Sequence, residues 1–225
     1  MARAIVGLLT YLLIIPAGLL LAGGDPTWPM GWIYTALYLA AGLGSRLLSW
    51  RLSPGMLRER AAALRATGVP AWDRALVLIV ALVGPVAAVL VAGLDHRFGW
   101  PPAVSSPLQL VGLALVMAGY ILGVWAMLVN PFFSSFVRIQ SERGHQVIAR
   151  GPYAVVRHPA YSGGILAALA TPIMLDAVWA LLPGTLIAMA LVLRTYLEDQ
   201  LLQDRLPGYR EYASSVRARM IPGGW

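Results

Sequence analysis

Cysteine and lysine are both absent from this 225-residue chain. Without cysteine there is no disulfide, no thiol nucleophile and no thiolate metal ligand. Histidine is scarce: His96, His145 and His158 are the only three, and they lack the paired spacing of a zinc site, so no metal is expected. Charge is scarce too, at 12% of residues, against roughly 25% in an average soluble domain. Apolar side chains fill the deficit, with 59% hydrophobic residues and a mean hydropathy of +0.71. That balance names lipid as the solvent. Once membrane segments are subtracted, too little chain remains for a separate soluble catalytic domain, so any chemistry has to sit on helix ends and short loops.

Several apolar runs approach the roughly 20 residues that a helix needs to cross the hydrocarbon core. They predict an all-α, polytopic integral membrane protein with spans at 4–22, 30–45, 75–93, 108–129, 161–175 and 177–193. The last two read as a tight hairpin with Asp176 at its tip; joined into one bent helix they would reduce six spans to five. The first could be mistaken for a signal peptide, but its apolar run is long and its exit, Leu-Ala-Gly-Gly, is a poor cleavage site.

Arginine placement sets the orientation. Arg3 and the groups 46–74, 138–157 and 194–219 fall on one side of this arrangement, and only Arg97 falls on the other. Six spans with both termini in the cytoplasm follow, with Asp25, Asp95 and Asp176 in the three outer loops. This placement accounts for the net charge of +7 without nucleic acid. Between the second and third spans, Ser53-Pro54 reads as a helix start and Gly68 as a stop. Met56, Leu57, Ala61 and Leu64 share a face opposite Arg58, Glu59 and Arg65, which predicts an amphipathic helix at 54–67 lying on the inner leaflet. The composition changes after Val129, dividing the chain into a four-span region, 1–129, and a more polar region, 130–225. The sequence carries no sign of oligomeric state.

From Asn130 the chain reads NPFFSSFVRIQSERGHQVIARGPYAVVRHPAYSGG. Gly151-Pro152 and His158-Pro159 force turn or extended geometry, because proline fixes its own φ and disfavours the helical region for the residue before it. Backbone held out of a helix near a membrane has to be paired, buried or line a wet cavity, which predicts a polar pocket at the cytoplasmic face. Tyr153 and Tyr161 supply ring faces and hydroxyls to such a pocket, or sit in an interfacial aromatic belt. Arg150 and Arg157 are equally well read as topology determinants, and His158 as a helix-start residue. A second polar patch, Arg194-Thr-Tyr-Leu-Glu198-Asp199, emerges from the last span. Arg194 and Glu198 are four apart and share a helix face, within reach of one ligand or of each other. Beyond it come Gly208-Tyr209-x-x-Tyr212, then Arg217-x-Arg219-x-Ile-Pro222 and a tail ending at Trp225.

Taken in order, GHQVIARGPYAVVRHPAYSGG, a hairpin, RTYLEDQLL, PGYREY and RARMIP resemble the isoprenylcysteine carboxyl methyltransferase family and its bacterial relatives, a pattern that phospholipid methyltransferases share more broadly. The resemblance covers 130–225; the first four spans match in hydropathy alone. It implies a bacterial inner-membrane enzyme with an S-adenosylmethionine pocket open to the cytosol and a lipophilic acceptor arriving through the bilayer. The cofactor residues it implies are Gln140, His145, Gln146, Val147, Ile148, Tyr153, His158, Pro159, Ala160, Tyr161 and Glu198, with Arg194 orienting the acceptor's carboxylate. Gln140 stands closer to His145 than its counterpart does in eukaryotic members, and Asp199 replaces a second Glu.

The implied reaction is O-methylation of a prenylated cysteine's carboxylate, which is already deprotonated at pH 7 and needs no general base. A phospholipid amine or a small lipophilic thiol are the alternative acceptors; an amine would require a base, for which His158 or Glu198 would serve. An NAD(P)H-dependent lipid or sterol reductase is the competing enzyme class, since sterol reductases also carry an RHP-like motif, although the chain has no GxGxxG. A non-enzymatic membrane scaffold is the third reading.

Overall fold

The computed structural model describes residues 2–52 and 69–225, and among these it is built from helices with no strand. The amphipathic helix expected at 54–67 lies outside the described residues. We number the principal helices α1 (Ala2–Gly23), α2 (Pro29–Leu52), α3 (Ala71–Phe98), α4 (Ser106–Val129), α5 (Pro159–Met174), α6 (Leu181–Arg205) and α7 (Tyr209–Ser215). Among the described residues, three helical stretches are long and apolar enough to cross a membrane: Ala71–Phe98, Ser106–Val129 and Val178–Arg205. Leu12–Gly23 is a shorter apolar helix. Large apolar side chains also point outward from these helices, among them Leu182 and Ile121 at 69% and 63% exposure, as suits a lipid-facing surface.

α3 is not uniform. Residues Ile79–Val83 form a π-turn, and the Gly84 N–H bonds back to the Ile79 carbonyl. Pro85 follows directly; its ring would clash with the carbonyl four residues earlier, and the widened turn accommodates it. The expected hairpin is present: α5 ends at Met174, Asp176 adopts a left-handed φ of 57°, and the chain re-enters through a single 3-10 turn, Val178–Ala180. The Asp176 carboxylate accepts the Val104 N–H, tying this tip to the loop before α4.

With lipid outside, helices gain little by burying apolar surface and associate through close packing instead. Here small residues let backbones touch. On α4, Gly119 faces Gly163 of α5 so closely that a Cβ on Gly119 would come within 2.5 Å of the Gly163 carbonyl oxygen. Gly93 of α3 meets Ala22 and the Leu19 carbonyl of α1 in the same way. A shared core of Leu19, Val89, Val116, Met174 and Leu175 joins these helices. At one end of the bundle, the C-terminal half of α6, the start of α5, the first turn of α3 and the 130–158 loop converge.

Candidate active site

The 130–158 loop begins where Pro131 ends α4, and the Asn130 side chain turns the chain by accepting the Phe132 N–H at 2.9 Å. Gln140 holds the loop's middle. It is fully buried, its Nε2 donates to the Phe132 carbonyl at 2.7 Å, its Oε1 accepts from Arg143, and its own carbonyl receives the Arg143 and His145 amides. His145 stacks on Phe132 with ring centroids 4.6 Å apart. Burial, then the nearby Arg143 and Arg138 charges, hold the His145 imidazole down at about 4, so it is neutral at pH 7.

After His145 the chain runs extended. The backbone amides and carbonyls of Gln146, Val147 and Ile148 make no hydrogen bond among the described residues. Gly151, at φ 60°, and Pro152 then start a 3-10 turn that buries Tyr153. The Tyr212 hydroxyl donates to the Tyr153 carbonyl at 2.7 Å, locking α7 over this turn. Burial pushes the hydroxyls of Tyr153, Tyr209 and Tyr212 up, so all three are neutral.

His158 precedes α5, and Pro159 occupies the first helical position, where its missing N–H costs nothing. One turn along, the Tyr161 hydroxyl donates to Glu198 Oε2 at 2.5 Å, and the Tyr161 ring lies 5.3 Å from the Arg194 guanidinium carbon. Arg194 and Glu198, which share a helix face, do not pair with each other. Arg194 Nε donates to Asp73 Oδ1 at 2.7 Å and its Nη2 to the Ser135 carbonyl at 2.8 Å.

These residues enclose one cavity. Arg194, His145, Gln146, Val147, Ile148, Tyr153, His158, Pro159, Ala160, Tyr161 and Glu198 all line it, together with Asn130, Phe132 and Arg138. The two sequence patches, separated by the hairpin, therefore meet. Gln140 does not line it: its side chain is consumed in holding the loop closed beneath the wall.

Two acids that the sequence reading did not rank carry most of the site's support. Asp199, fully buried, accepts two hydrogen bonds from Arg157 at 2.8 and 2.9 Å, one from Arg219 at 2.9 Å, one from the Tyr209 hydroxyl at 3.0 Å and one from Gln203 at 2.9 Å. The His158 ring lies 3.4 Å from the same carboxylate. Arg157 also donates to the Val216 and Arg217 carbonyls, and the Arg157 and His158 amides bond to the carbonyls of Ala218 and Arg219, so the tail is laced to the RHP turn. Asp73, also fully buried, pairs with Arg194 and accepts the Val137 N–H at 2.7 Å. The available signal was their setting: an acid beside a largely apolar helix is costly unless it has a partner.

Residues 111–204 match the family model described as the isoprenylcysteine carboxyl methyltransferase family. The match starts inside α4, upstream of Asn130, and stops before the GYREY and RARMIP segments. Two rice proteins, from Oryza sativa subsp. indica and subsp. japonica, each named probable protein-S-isoprenylcysteine O-methyltransferase, are 29% identical over 48% of this chain and 58% of their own length. The Arabidopsis thaliana protein-S-isoprenylcysteine O-methyltransferase B is 32% identical over 28% of this chain and 33% of its own. The chain thus spans little more than half the length of the rice relatives. The resemblance read from the motifs is thus matched over 111–204, a segment that carries most of the cavity wall and is similar to the isoprenylcysteine carboxyl methyltransferase family.

Proposed function

We propose that this protein is an integral membrane methyltransferase that transfers a methyl group from S-adenosylmethionine to the carboxylate of a lipophilic, prenylcysteine-like acceptor. The observation that carries this reading is the convergence of eleven residues from two distant patches on one cavity, beside an extended backbone edge without hydrogen-bond partners among the described residues. The donor set suits the cofactor. The free edge at Gln146–Ile148 offers amides and carbonyls to a base, the tyrosines offer ring faces, and the Glu198 carboxylate offers an anion to an amino group. When bound, S-adenosylmethionine supplies an electrophilic methyl on a sulfonium.

The residues' own work is alignment and exclusion of water, the main demands of an in-line displacement. Arg194 orients the acceptor's carboxylate, the Tyr161–Glu198 hydrogen bond braces the wall beside it, and no side chain has to remove a proton. A dinucleotide-dependent reductase fits less well. Among the described residues, each of the three arginines lining the cavity already faces a carboxylate: Arg138 faces Glu142, Arg157 faces Asp199 and Arg194 faces Asp73. Among the described residues, no arginine of the wall is left unpaired for a pyrophosphate.

We place six spans in a bacterial inner membrane, with both termini and the cavity cytoplasmic, and treat 1–129 as the region that shapes the acceptor's path and 130–225 as the cofactor-binding region. The test offers labelled S-adenosylmethionine and a panel of N-acetyl-farnesylcysteine, an aminophospholipid and a hydrophobic thiol to the protein in detergent. Base-labile label on the farnesylcysteine is the expected result. Tight nicotinamide-cofactor binding with none for S-adenosylmethionine would overturn the reading, and label on the amine or thiol would move the acceptor.

A further inference from the structure

Asp73 lies in the first turn of α3, 121 residues before Arg194, and is fully buried. Its two carboxylate oxygens do separate jobs. Oδ1 accepts from Arg194 Nε, while Oδ2 accepts the amide of Val137, which is itself part of the cavity wall. With Nη2 on the Ser135 carbonyl and the Tyr161 ring against the guanidinium, only Nη1 of Arg194 has no partner among the described residues.

This arrangement matters for what Arg194 can do. A free guanidinium grips a carboxylate with two parallel hydrogen bonds, one to each oxygen. Here Asp73 takes the single Nε N–H and Ser135 takes one of the two Nη2 N–H groups before any acceptor arrives, so the side-on pair of Nε and Nη2 is closed. Resting on the reading of Arg194 as the group that meets the acceptor's carboxylate, we propose that Asp73 is a positioning residue for methyl transfer, denying the acceptor the side-on face of Arg194 and presenting it the Nη1 end from a fixed position. The Nη1 end then holds one carboxylate oxygen and turns the second toward the methyl donor. That second oxygen forms the new O–CH3 bond as the C–S bond breaks; the electron pair of the broken bond stays on sulfur, and no proton moves. Asp73 also offsets the Arg194 charge, so the acceptor's anion is oriented without being strongly stabilised in its unreactive state, the condition for an interaction to raise turnover rather than ground-state binding.

The proposal predicts a split that simple loss of structure would not give. In Asp73→Asn the charged anchor on Nε is lost and the Arg194 charge is no longer offset, so the guanidinium holds the carboxylate more strongly in its unreactive state and no longer presents it from a fixed position. With N-acetyl-farnesylcysteine as acceptor, kcat falls at least tenfold while the acceptor KM stays level or drops, and the S-adenosylmethionine Kd, measured by equilibrium dialysis on the full chain, changes by less than twofold. Asp73→Glu, which keeps the charge, recovers part of kcat. In an Arg194→Ala background, Asp73→Asn adds nothing further. An unchanged kcat in Asp73→Asn, with Arg194→Ala impaired, would refute the role of Asp73. A joint loss of cofactor affinity and turnover in both Asp73 variants would refute it in favour of a purely structural role. If Arg194→Ala leaves the acceptor's kinetics untouched, it is the reading of Arg194 itself that fails.

Discussion

Replacing Asp199 with alanine removes the acceptor for five hydrogen bonds donated by Arg157, Arg219, Tyr209 and Gln203. Arg157 is the group that cannot escape. Its side chain is 5% exposed, and its remaining bonds, to the Val216 and Arg217 carbonyls, leave its charge uncompensated. Arg219, at 26% exposure, can turn toward water. Stranding one member of a buried pair costs about 3–5 kcal/mol. At about 2–4 °C per kcal/mol for a chain of this size, the unfolding midpoint in detergent should drop by roughly 6–20 °C. Because the Tyr209 hydroxyl and His158 ring meet at this carboxylate, S-adenosylmethionine affinity should fall with it. A double replacement, Asp199→Leu with Arg157→Met, removes both charges and should recover much of the midpoint, since apolar groups of similar volume often replace a buried ion pair at little cost. The assay is thermal unfolding followed by intrinsic tryptophan fluorescence, with dialysis for the cofactor. An Asp199→Ala midpoint within about 2 °C of the parent, less than the shift from 1 kcal/mol, would refute the assignment of Asp199 as the hub.

Gly163→Ala places a methyl group against the Gly119 carbonyl and 3.1 Å from the Gly123 amide nitrogen, so α4 and α5 must separate; a loss of about 1–3 kcal/mol is expected and is read as a lower midpoint. Tyr212→Phe removes one hydrogen bond to the Tyr153 carbonyl, which should cost about 1 kcal/mol and weaken cofactor binding modestly. The pH prediction concerns His145. Its folded pKa of about 4 lies below the unfolded value of about 6.5, so the unfolded chain takes the proton first. The His145 contribution to stability is therefore constant above the unfolded value, declines as pH falls below it, and the decline ends near the folded value. Ring-nitrogen NMR shifts of His145 that titrate near 6.5 in the folded protein would contradict it.

Hydropathy located the helices but understated several of them, two most clearly. α2 runs on to Leu52 and α6 to Arg205, well past the apolar windows ending at 45 and 193. Polar residues outside the hydrocarbon still close i to i−4 hydrogen bonds, so a helix need not stop where its hydropathy does. The cavity was legible because its wall residues cluster in two local motifs whose proline and glycine punctuation marks them as non-helical. Its supports were not. Asp199 follows Glu198 by one position, about 100° around the helix, and so faces the tail while Glu198 faces the cavity. The setting of Asp73 signals a need for a partner but not which one, since Val137 and Arg194 are 64 and 121 residues away. Gln140, read as a cofactor residue, has the polar chemistry of one, but its hydrogen bonds turn it into the loop.

The two buried acids divide the site between them, and the division bears on where affinity comes from. Asp199 organises the turn, the tail and α7 around the end where His158 and Tyr209 stand. Asp73 fastens α3 to Arg194 and to the Val137 wall. With these pairs formed, the arginines of the cavity have spent most of their charge on the protein itself. On the proposed reading, they can direct a carboxylate but add little to its binding. Affinity for the acceptor then has to come from its hydrocarbon, at about 0.8 kcal/mol per buried CH2, and the lipid-facing helices are the part of the molecule suited to supply it. A polar site that orients and an apolar surround that holds is the division of labour expected when remote binding energy is used to align a reacting group.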